Sequence, residues 1–190
     1  IDNNIDNYNY YVIMPANLTG TEKAIQKLPL NRVYILDQMH KELEQYPAIY
    51  QNFEKDIYEG LSSILVKIKN YKKLILVFSD EKQPQGILKG FLAFCSQHNV
   101  HSKVIASLKN RNLEKGEVYL VLDDKDLIRV IKKIREEQLE LSKNIGIVSI
   151  NETILKKVVA EGITTISTNF KLMGERLASM IINKEIIKPK

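Results

Sequence analysis

The chain has 190 residues, of which 44% are hydrophobic and 27% are charged, and its formal net charge is +5. This composition is typical of an ordinary globular protein and excludes a disordered or fibrous chain. No apolar run approaches the roughly 20 residues that span a bilayer, and the first residues lack the basic and apolar regions of a signal peptide. We therefore expect a cytoplasmic protein without a membrane partner.

Apolar runs of strand length alternate with amphipathic helical stretches along the chain, which predicts βα units that build a mostly parallel sheet. The predicted strands cover residues 11–14, 32–37, 47–51, 73–78, 103–106, 118–122 and 145–150, with a further extended piece at 164–167. The predicted helices cover residues 21–28, 54–68, 87–94, 127–135, 154–159 and 171–182. The clearest helix is 54–68, because Ile57, Leu61 and Ile68 fall on one helical stripe.

Polar residues follow several predicted strands at the points where those strands end. Asp37, Asp123 and Asn151 each come directly after an apolar run, and Gln85 closes the loop after the strand at 73–78. Ligands of open parallel sheets bind beyond the carboxyl ends of the strands, and such side chains suit the hydroxyls of a sugar. The alternative is that each residue caps the helix that follows it, and for any single position capping explains the residue equally well.

The sequence contains no arrangement typical of catalysis or metal binding. A nucleophile elbow, a dinucleotide fingerprint and a phosphate loop are all absent, so we expect no catalytic residue and no cofactor. His40, His98 and His101 lie in polar stretches that we expect to be exposed, without a partnering Ser or Cys. A magnesium site at Asp123 and Asp124 is disfavoured by the positive charge of the adjacent Lys125, so we expect no metal.

The basic residues and the single cysteine both have structural interpretations. Lysines are densest in residues 67–73, and this pattern favours a solvated helix end over a DNA-binding surface. A helix-turn-helix, a zinc finger and a basic zipper are all absent, so any DNA-reading part would lie in another domain. Cys95 lies on an apolar helical face, where we expect it to be buried.

Three blocks near the C-terminus resemble the closing signature of the LacI/GalR effector domain. They are residues 144–152 (NIGIVSINE), 162–166 (GITTI) and 170–178 (FKLMGERLA), which resemble a strand with an acidic end, a Thr-Thr turn and a helix with an early Met-Gly pair. Residues 11–15, 33–37 and 86–91 fit further blocks of that family in order. The resemblance implies a type I periplasmic-binding-protein-like α/β fold with two Rossmann-like lobes, the first of them incomplete.

The resemblance also implies a division of the chain and a function. The first lobe would comprise residues 1–53 and 170–190, and the second lobe residues 54–169. The implied function is that of an effector sensor in a homodimeric bacterial transcription regulator, which binds a sugar or related small molecule between the lobes and contacts operator DNA through a domain outside this chain. Residues 10–15 and 50–59 look most like regulators of Bacteroidetes type, in which a GntR-type winged helix precedes the sensor.

Carried over by position, the resemblance implies an effector site with seven members. They are Asp37, Gln85, Asp123, Asn151, Thr168, Asn169 and Phe170. The chain departs from the family at three of them, because family members often have Arg near Gln85, Asn in place of Asp123 and Asp in place of Asn151. These changes keep the site polar and leave the particular sugar open.

Two other functions are compatible with the same sequence. A periplasmic sugar-binding protein of a transporter would share the fold and would carry a leader sequence. A fragment of a sugar-modifying α/β enzyme, such as a kinase or an isomerase, would need a carboxylate pair with a base or a metal.

Overall fold

The computed structural model describes residues 5–15, 20–81 and 83–184, which form eight strands and seven α-helices. The strands are β1 Tyr11–Ile13, β2 Val33–Asp37, β3 Ala48–Tyr50, β4 Lys73–Val77, β5 Ser102–Ile105, β6 Glu117–Val121, β7 Ile145–Ile150 and β8 Thr164–Ile166. The helices are α1 Thr21–Ile25, α2 Phe53–Ser63, α3 Leu65–Ile68, α4 Gln85–Gln97, α5 Asp124–Glu136, α6 Ile154–Val159 and α7 Phe170–Ile182. The predicted alternation of strands and helices is confirmed.

The chain divides into two compact units. The first unit comprises Ile1–Gln51 and Asn169–Lys190, and the second comprises Asn52–Thr168. The first unit contains a three-stranded parallel sheet in the order β1-β2-β3. Val33 and Ile35 of β2 pack on one face against Ile25 and Leu43, whereas Tyr34 packs on the other face against α7.

The second unit contains a five-stranded, wholly parallel sheet in the order β5-β4-β6-β7-β8. Strand β6 is buried along its entire length, as expected for a parallel strand covered on both faces. Because side chains alternate along β4, Leu74 and Leu76 enter the core beneath α2 and α4. Ile75 and Val77 enter the opposite core, which α5 covers.

The predicted helix over residues 54–68 is interrupted at Ile64, where the backbone leaves helical geometry with φ −114° and ψ 15°. Ser62 and Ser63 precede the break, and their hydroxyls donate to the carbonyls of Tyr58 and Gly60, each at 2.7 Å. Hydroxyls that bond back to the preceding turn compete with the helical ladder. The apolar stripe was therefore predicted correctly, because Ile57, Leu61 and Ile68 are buried, but the continuous helix was wrong.

Two of the three histidines, which we expected to be exposed, are partly buried. The Nδ1 atom of His40 lies 2.6 Å from a carboxylate oxygen of Glu22, and its side chain is only 15% exposed. The ring of His98 lies beside the rings of Tyr58 and Phe94, with centroid distances of 6.1 and 5.0 Å. His101 is exposed and Cys95 is buried, as predicted.

None of the helices in the described parts of the chain combines the length and the apolar composition that a membrane span requires.

Candidate functional site

Four neighbouring strands of the second unit, β4, β6, β7 and β8, end at the same edge of their sheet because they are parallel. The residues that follow them are polar, and we call this set the strand-end group. Its members are Ser79, Asp80, Gln85, Asp123, Asn151, Glu152, Ser167 and Thr168. The order of the strands therefore brings together segments that lie up to about ninety residues apart in the sequence.

Asn151, at the end of β7, has a left-handed backbone with φ 62°. Asn is among the few residues that adopt this conformation readily, and such positions are common at functional sites. Its side-chain oxygen accepts a long hydrogen bond of 3.5 Å from the backbone N–H of Thr168. Its side-chain nitrogen has no hydrogen-bond acceptor among the described residues, so this donor is available to a ligand.

Lys156 of α6 forms hydrogen bonds with the backbone of the turn that carries Asn151. The lysine is only 4% exposed. Its ammonium group donates to the carbonyls of Ile150 and Asn151 at 2.5 and 2.6 Å and lies 3.4 Å from a carboxylate oxygen of Asp124. One cation therefore joins the end of β7 to the start of α5, and it fixes the backbone from which the Asn151 side chain projects.

The loops after β7 and β8 are also joined directly. The backbone N–H of Glu152 donates to the hydroxyl of Ser167 at 2.6 Å. The carboxylate of Glu152 lies 2.7 Å from the ammonium group of Lys157, and this contact raises the pKa of Lys157.

Asp123 caps α5, because its Oδ1 atom accepts from the backbone N–H of Asp126 at 2.8 Å. The capping interpretation therefore holds for this residue. Its other carboxylate oxygen has no hydrogen-bond donor among the described residues, so capping leaves an acceptor free for a ligand.

Asp124 is engaged by Lys156, and the described residues contain no group of three or more His, Cys, Asp or Glu side chains placed to hold a metal ion.

Gln85 lies in the first turn of α4, and not in the preceding loop as the sequence suggested. Its side-chain nitrogen donates to Asp80 at 2.9 Å. In the same loop, the backbone N–H of Ser79 donates to the side-chain oxygen of Gln83 at 2.8 Å. These two contacts order the loop after β4, and Gln85 remains exposed.

The first unit carries the remaining predicted residues. Asp37, at the end of β2, also has a left-handed backbone, with φ 76°. Its carboxylate accepts from the side-chain nitrogen of Gln51 at 2.5 Å. Asn169 caps α7 by accepting from the backbone N–H of Leu172 at 2.9 Å, and the ring of Phe170 is 51% exposed.

No protein-family model and no curated protein sequence matches the chain. Solved structures of regulators do match it, with TM-scores that indicate a shared fold. The trehalose repressor from Escherichia coli gives a TM-score of 0.74 at 15% identity, over 97% of this chain and 74% of that one. The chain has the fold of LacI-family effector-binding domains.

Two further structures of this fold were determined with sugars. A LacI-family regulator from an Arthrobacter species in complex with lactose gives a TM-score of 0.74 at 8% identity, over 96% of this chain and 72% of that one. A LacI-family regulator from Lactobacillus casei with bound glucose gives a TM-score of 0.69 at 9% identity, over 96% and 75% of the two chains. The fold that the sequence resemblance implied is confirmed.

Within this LacI-type fold, sequence reasoning missed Lys156 and Gln51, which position the turns at Asn151 and Asp37. In α6 the lysine is buried, whereas the apolar residues Ile154 and Val158 are exposed. The predicted helix over residues 154–159 is confirmed, but an amphipathic pattern places lysines outside and therefore does not indicate that Lys156 is buried. The Thr-Thr pair at residues 164–165 lies in β8 and is not a turn.

Proposed function

We propose that the chain is the effector-sensing domain of a bacterial transcription regulator and that its effector is a sugar. The shared fold with LacI-family repressors supports this function, as do the lactose and the glucose in two of the matching structures. The observation that carries the proposal is the strand-end group, where Asn151 offers a free amide donor and Asp123 a free carboxylate acceptor. A vicinal pair of sugar hydroxyls needs a donor and an acceptor of this kind.

We assign contacts with the sugar to Gln85, Asp123, Asn151 and Thr168 of the second unit. We propose the same role for Asp37, Asn169 and Phe170 of the first unit, where the exposed ring of Phe170 offers an apolar face to a pyranose. Left-handed backbone at both Asp37 and Asn151 supports the assignment, because such conformations cluster at ligand sites.

The regulator that we propose is a cytoplasmic homodimer without catalytic activity. It reads operator DNA through a separate domain, for which the sequence resemblance predicts a GntR-type winged helix. The sugar changes DNA binding by favouring one of two conformations of the sensor, and the change in operator affinity is limited by the difference in sugar affinity between them.

Isothermal titration of the chain with glucose, galactose, maltose, trehalose, lactose and glucose 6-phosphate tests the proposal. We expect one of these sugars to bind, and we expect Asn151→Gly to weaken its binding by about 10-fold, since a hydrogen bond within a polar site contributes about 1 kcal/mol or more. Glycine tolerates the left-handed backbone, so this variant removes the amide without straining the turn.

Asn110→Gly is the matched control, because Asn110 also has a left-handed backbone, with φ 58°, and lies outside the strand-end group. We expect it to bind the sugar as the parent chain does. Failure of every sugar to bind, or equal affinity in the Asn151→Gly variant, would contradict the proposed site.

A further inference from the structure

The second unit contains a cavity of about 380 Å³ at the opposite ends of the strands that lead to the strand-end group. We call it the amino-edge pocket. Val118, Gly146 and Thr164, at the starts of β6, β7 and β8, contribute to its lining. Gly146 lies five residues before Asn151 on β7, which corresponds to about 16 Å along the strand. The amino-edge pocket is therefore separate from the proposed sugar site.

Part of the lining of the amino-edge pocket is apolar. Its walls include Ile64, Ile68, Val118 and Ile163. The ring of Tyr71 lies over Gly146, where a Cβ atom would be 2.9 Å from the ring carbon Cζ. The Tyr71 hydroxyl donates to the carbonyl of Ser142 at 3.0 Å, which fixes the ring as one wall. A volume of about 380 Å³ lies within the usual range of a small-molecule site.

The rim of the pocket is polar, and two of its residues have left-handed backbone conformations. Ser142 has a left-handed backbone with φ 67°, and Gly162 faces it with φ 93°. A Cβ atom at Gly162 would lie 2.3 Å from the Ser142 hydroxyl oxygen, so the two residues meet in a way that glycine permits. The side chains of Asn70, Ser142 and Thr164 supply hydrogen-bonding groups to the rim.

The electrostatics of the amino-edge pocket favour an anion. Lys67 lines it, and no Asp or Glu is among its lining residues. Lys69, Lys72 and Lys73 belong to the same segment, and none of these four lysines forms an ion pair with any described residue of the chain. Cations without counter-charges raise the local concentration of anions.

We propose that the amino-edge pocket binds a small organic anion that carries one phosphate or carboxylate group on an apolar body of about ring size. Lys67 pairs with the charged group at the rim, assisted by the side chains of Asn70 and Ser142. The apolar body lies against Ile64, Ile68 and Ile163. This assigns a role to the basic segment of residues 67–73, which the proposed sugar site does not use.

Phenyl phosphate is the probe, titrated into the ¹⁵N-labelled chain and followed by amide resonances in NMR spectra. We expect saturable shifts at Gly146, Gly162 and Thr164 with a Kd of about 1 mM or tighter, the range open to a ligand of this size. Benzyl alcohol has the ring without the charge, and inorganic phosphate has the charge without the ring. Each is expected to bind at least about 10-fold more weakly than phenyl phosphate.

Two variants and a control locate the binding. Lys67→Met, at an exposed position, is expected to raise the Kd about 10-fold, because it removes a charged hydrogen-bond donor. Ser142→Gly accepts the left-handed backbone and is expected to weaken binding to a smaller extent. Lys89→Met is the matched control, because Lys89 is an exposed lysine of α4 outside the pocket, and its Kd should equal that of the parent chain.

Three results would overturn the inference. They are the absence of saturable shifts, an unchanged Kd in the Lys67→Met variant, and shifts that centre on Asn151 and Asp123 instead of Gly146. None of these results depends on whether a sugar binds at the strand-end group, so the two proposals fail separately.

Discussion

At the scale of single residues, Lys156 illustrates how a buried charge can position the backbone of a turn, here the turn at Asn151. Its ammonium group satisfies two carbonyls at the end of β7 and pairs with Asp124 at the start of α5. A buried lysine is tolerated when its donors are used in this way, and removing one partner leaves the others without compensation.

Lys156→Met tests this role. We expect the free energy of unfolding to fall by about 2–3 kcal/mol, because two partly buried carbonyls lose a charged donor. Urea unfolding measures the change. Lys157→Met is the control, since Lys157 is 68% exposed and its pair with Glu152 lies at the surface. Its effect on the free energy of unfolding should be much smaller than that of Lys156→Met, because a surface ion pair contributes little. Equal effects of the two variants would contradict the structural role of Lys156.

A second buried polar group, the hydroxyl of Tyr119, should make the free energy of unfolding depend on pH in the alkaline range. Tyr119 is fully buried on β6, where its hydroxyl donates to Glu117 and accepts from Arg111. Burial, reinforced by the hydrogen bond to Glu117, raises the pKa of Tyr119 well above its ordinary value of 10.0. The folded chain therefore keeps this proton at a pH where the unfolded chain loses it.

The free energy of unfolding should thus be unaffected by this group below about pH 10 and fall as the pH rises further, by up to about 1.4 kcal/mol per pH unit. Burial also raises the pKa values of Tyr46 and Tyr71, which add to the same slope. We expect Tyr119→Phe to make the slope shallower in urea titrations between pH 9 and 11. Tyr8→Phe, at a residue that is 57% exposed, should leave it unchanged.

At the scale of elements, the packing of α4 on α2 depends on a glycine. A Cβ atom at Gly90 would lie 2.2 Å from the carbonyl oxygen of Glu54, so the two helices approach each other more closely than alanine allows. Gly174 lies in the middle of α7, and a Cβ atom there would meet no atom within 4 Å. Both glycines lie inside helices, but only Gly90 lacks space for a Cβ atom.

Substitution by alanine should therefore have opposite effects at the two positions. Gly174→Ala is expected to stabilise by about 0.5–1 kcal/mol, the usual gain for a helix interior. Gly90→Ala is expected to destabilise by about 1–3 kcal/mol, because overpacking at a helix contact exceeds the gain in propensity. Urea unfolding followed by circular dichroism measures both, and stabilisation by Gly90→Ala would show that α2 moves aside without cost.

At the scale of the whole molecule, α6 presents apolar side chains outward. Ile154 is 83% exposed and Val158 is 78% exposed, whereas Lys156 faces inward. Exposed apolar groups of this kind are stabilised when another surface covers them. We predict that the second copy in the proposed homodimer covers the outer face of α6, because a two-fold axis would bring the same apolar patch of both copies together.

Val158→Asp should therefore shift the sedimentation of the chain from dimer towards monomer without changing its circular dichroism. Val66→Asp is the control, because Val66 is 81% exposed on α3, outside this face. It should leave the dimer intact. A monomeric parent chain, or a dimer that survives Val158→Asp, would contradict this assignment.

The sequence by itself determined the properties of this protein that depend on local periodicity. Strand-length apolar runs and helical stripes predicted the parallel α/β fold, and the blocks near the C-terminus indicated the correct fold family. The buried faces of α4 and α5 follow from the spacing of apolar residues, because burial of apolar surface dominates the choice of inward face. The seven predicted effector-site residues remain predictions.

The tertiary structure alone decided the partners of the polar side chains. Lys156 meets Asp124, and Asp37 meets Gln51, across sequence separations that no local pattern encodes. The same holds for the close approach at Gly90. Hydrogen bonds and steric contacts act over a few ångströms, so they are fixed by how the elements pack and not by the order of residues along the chain.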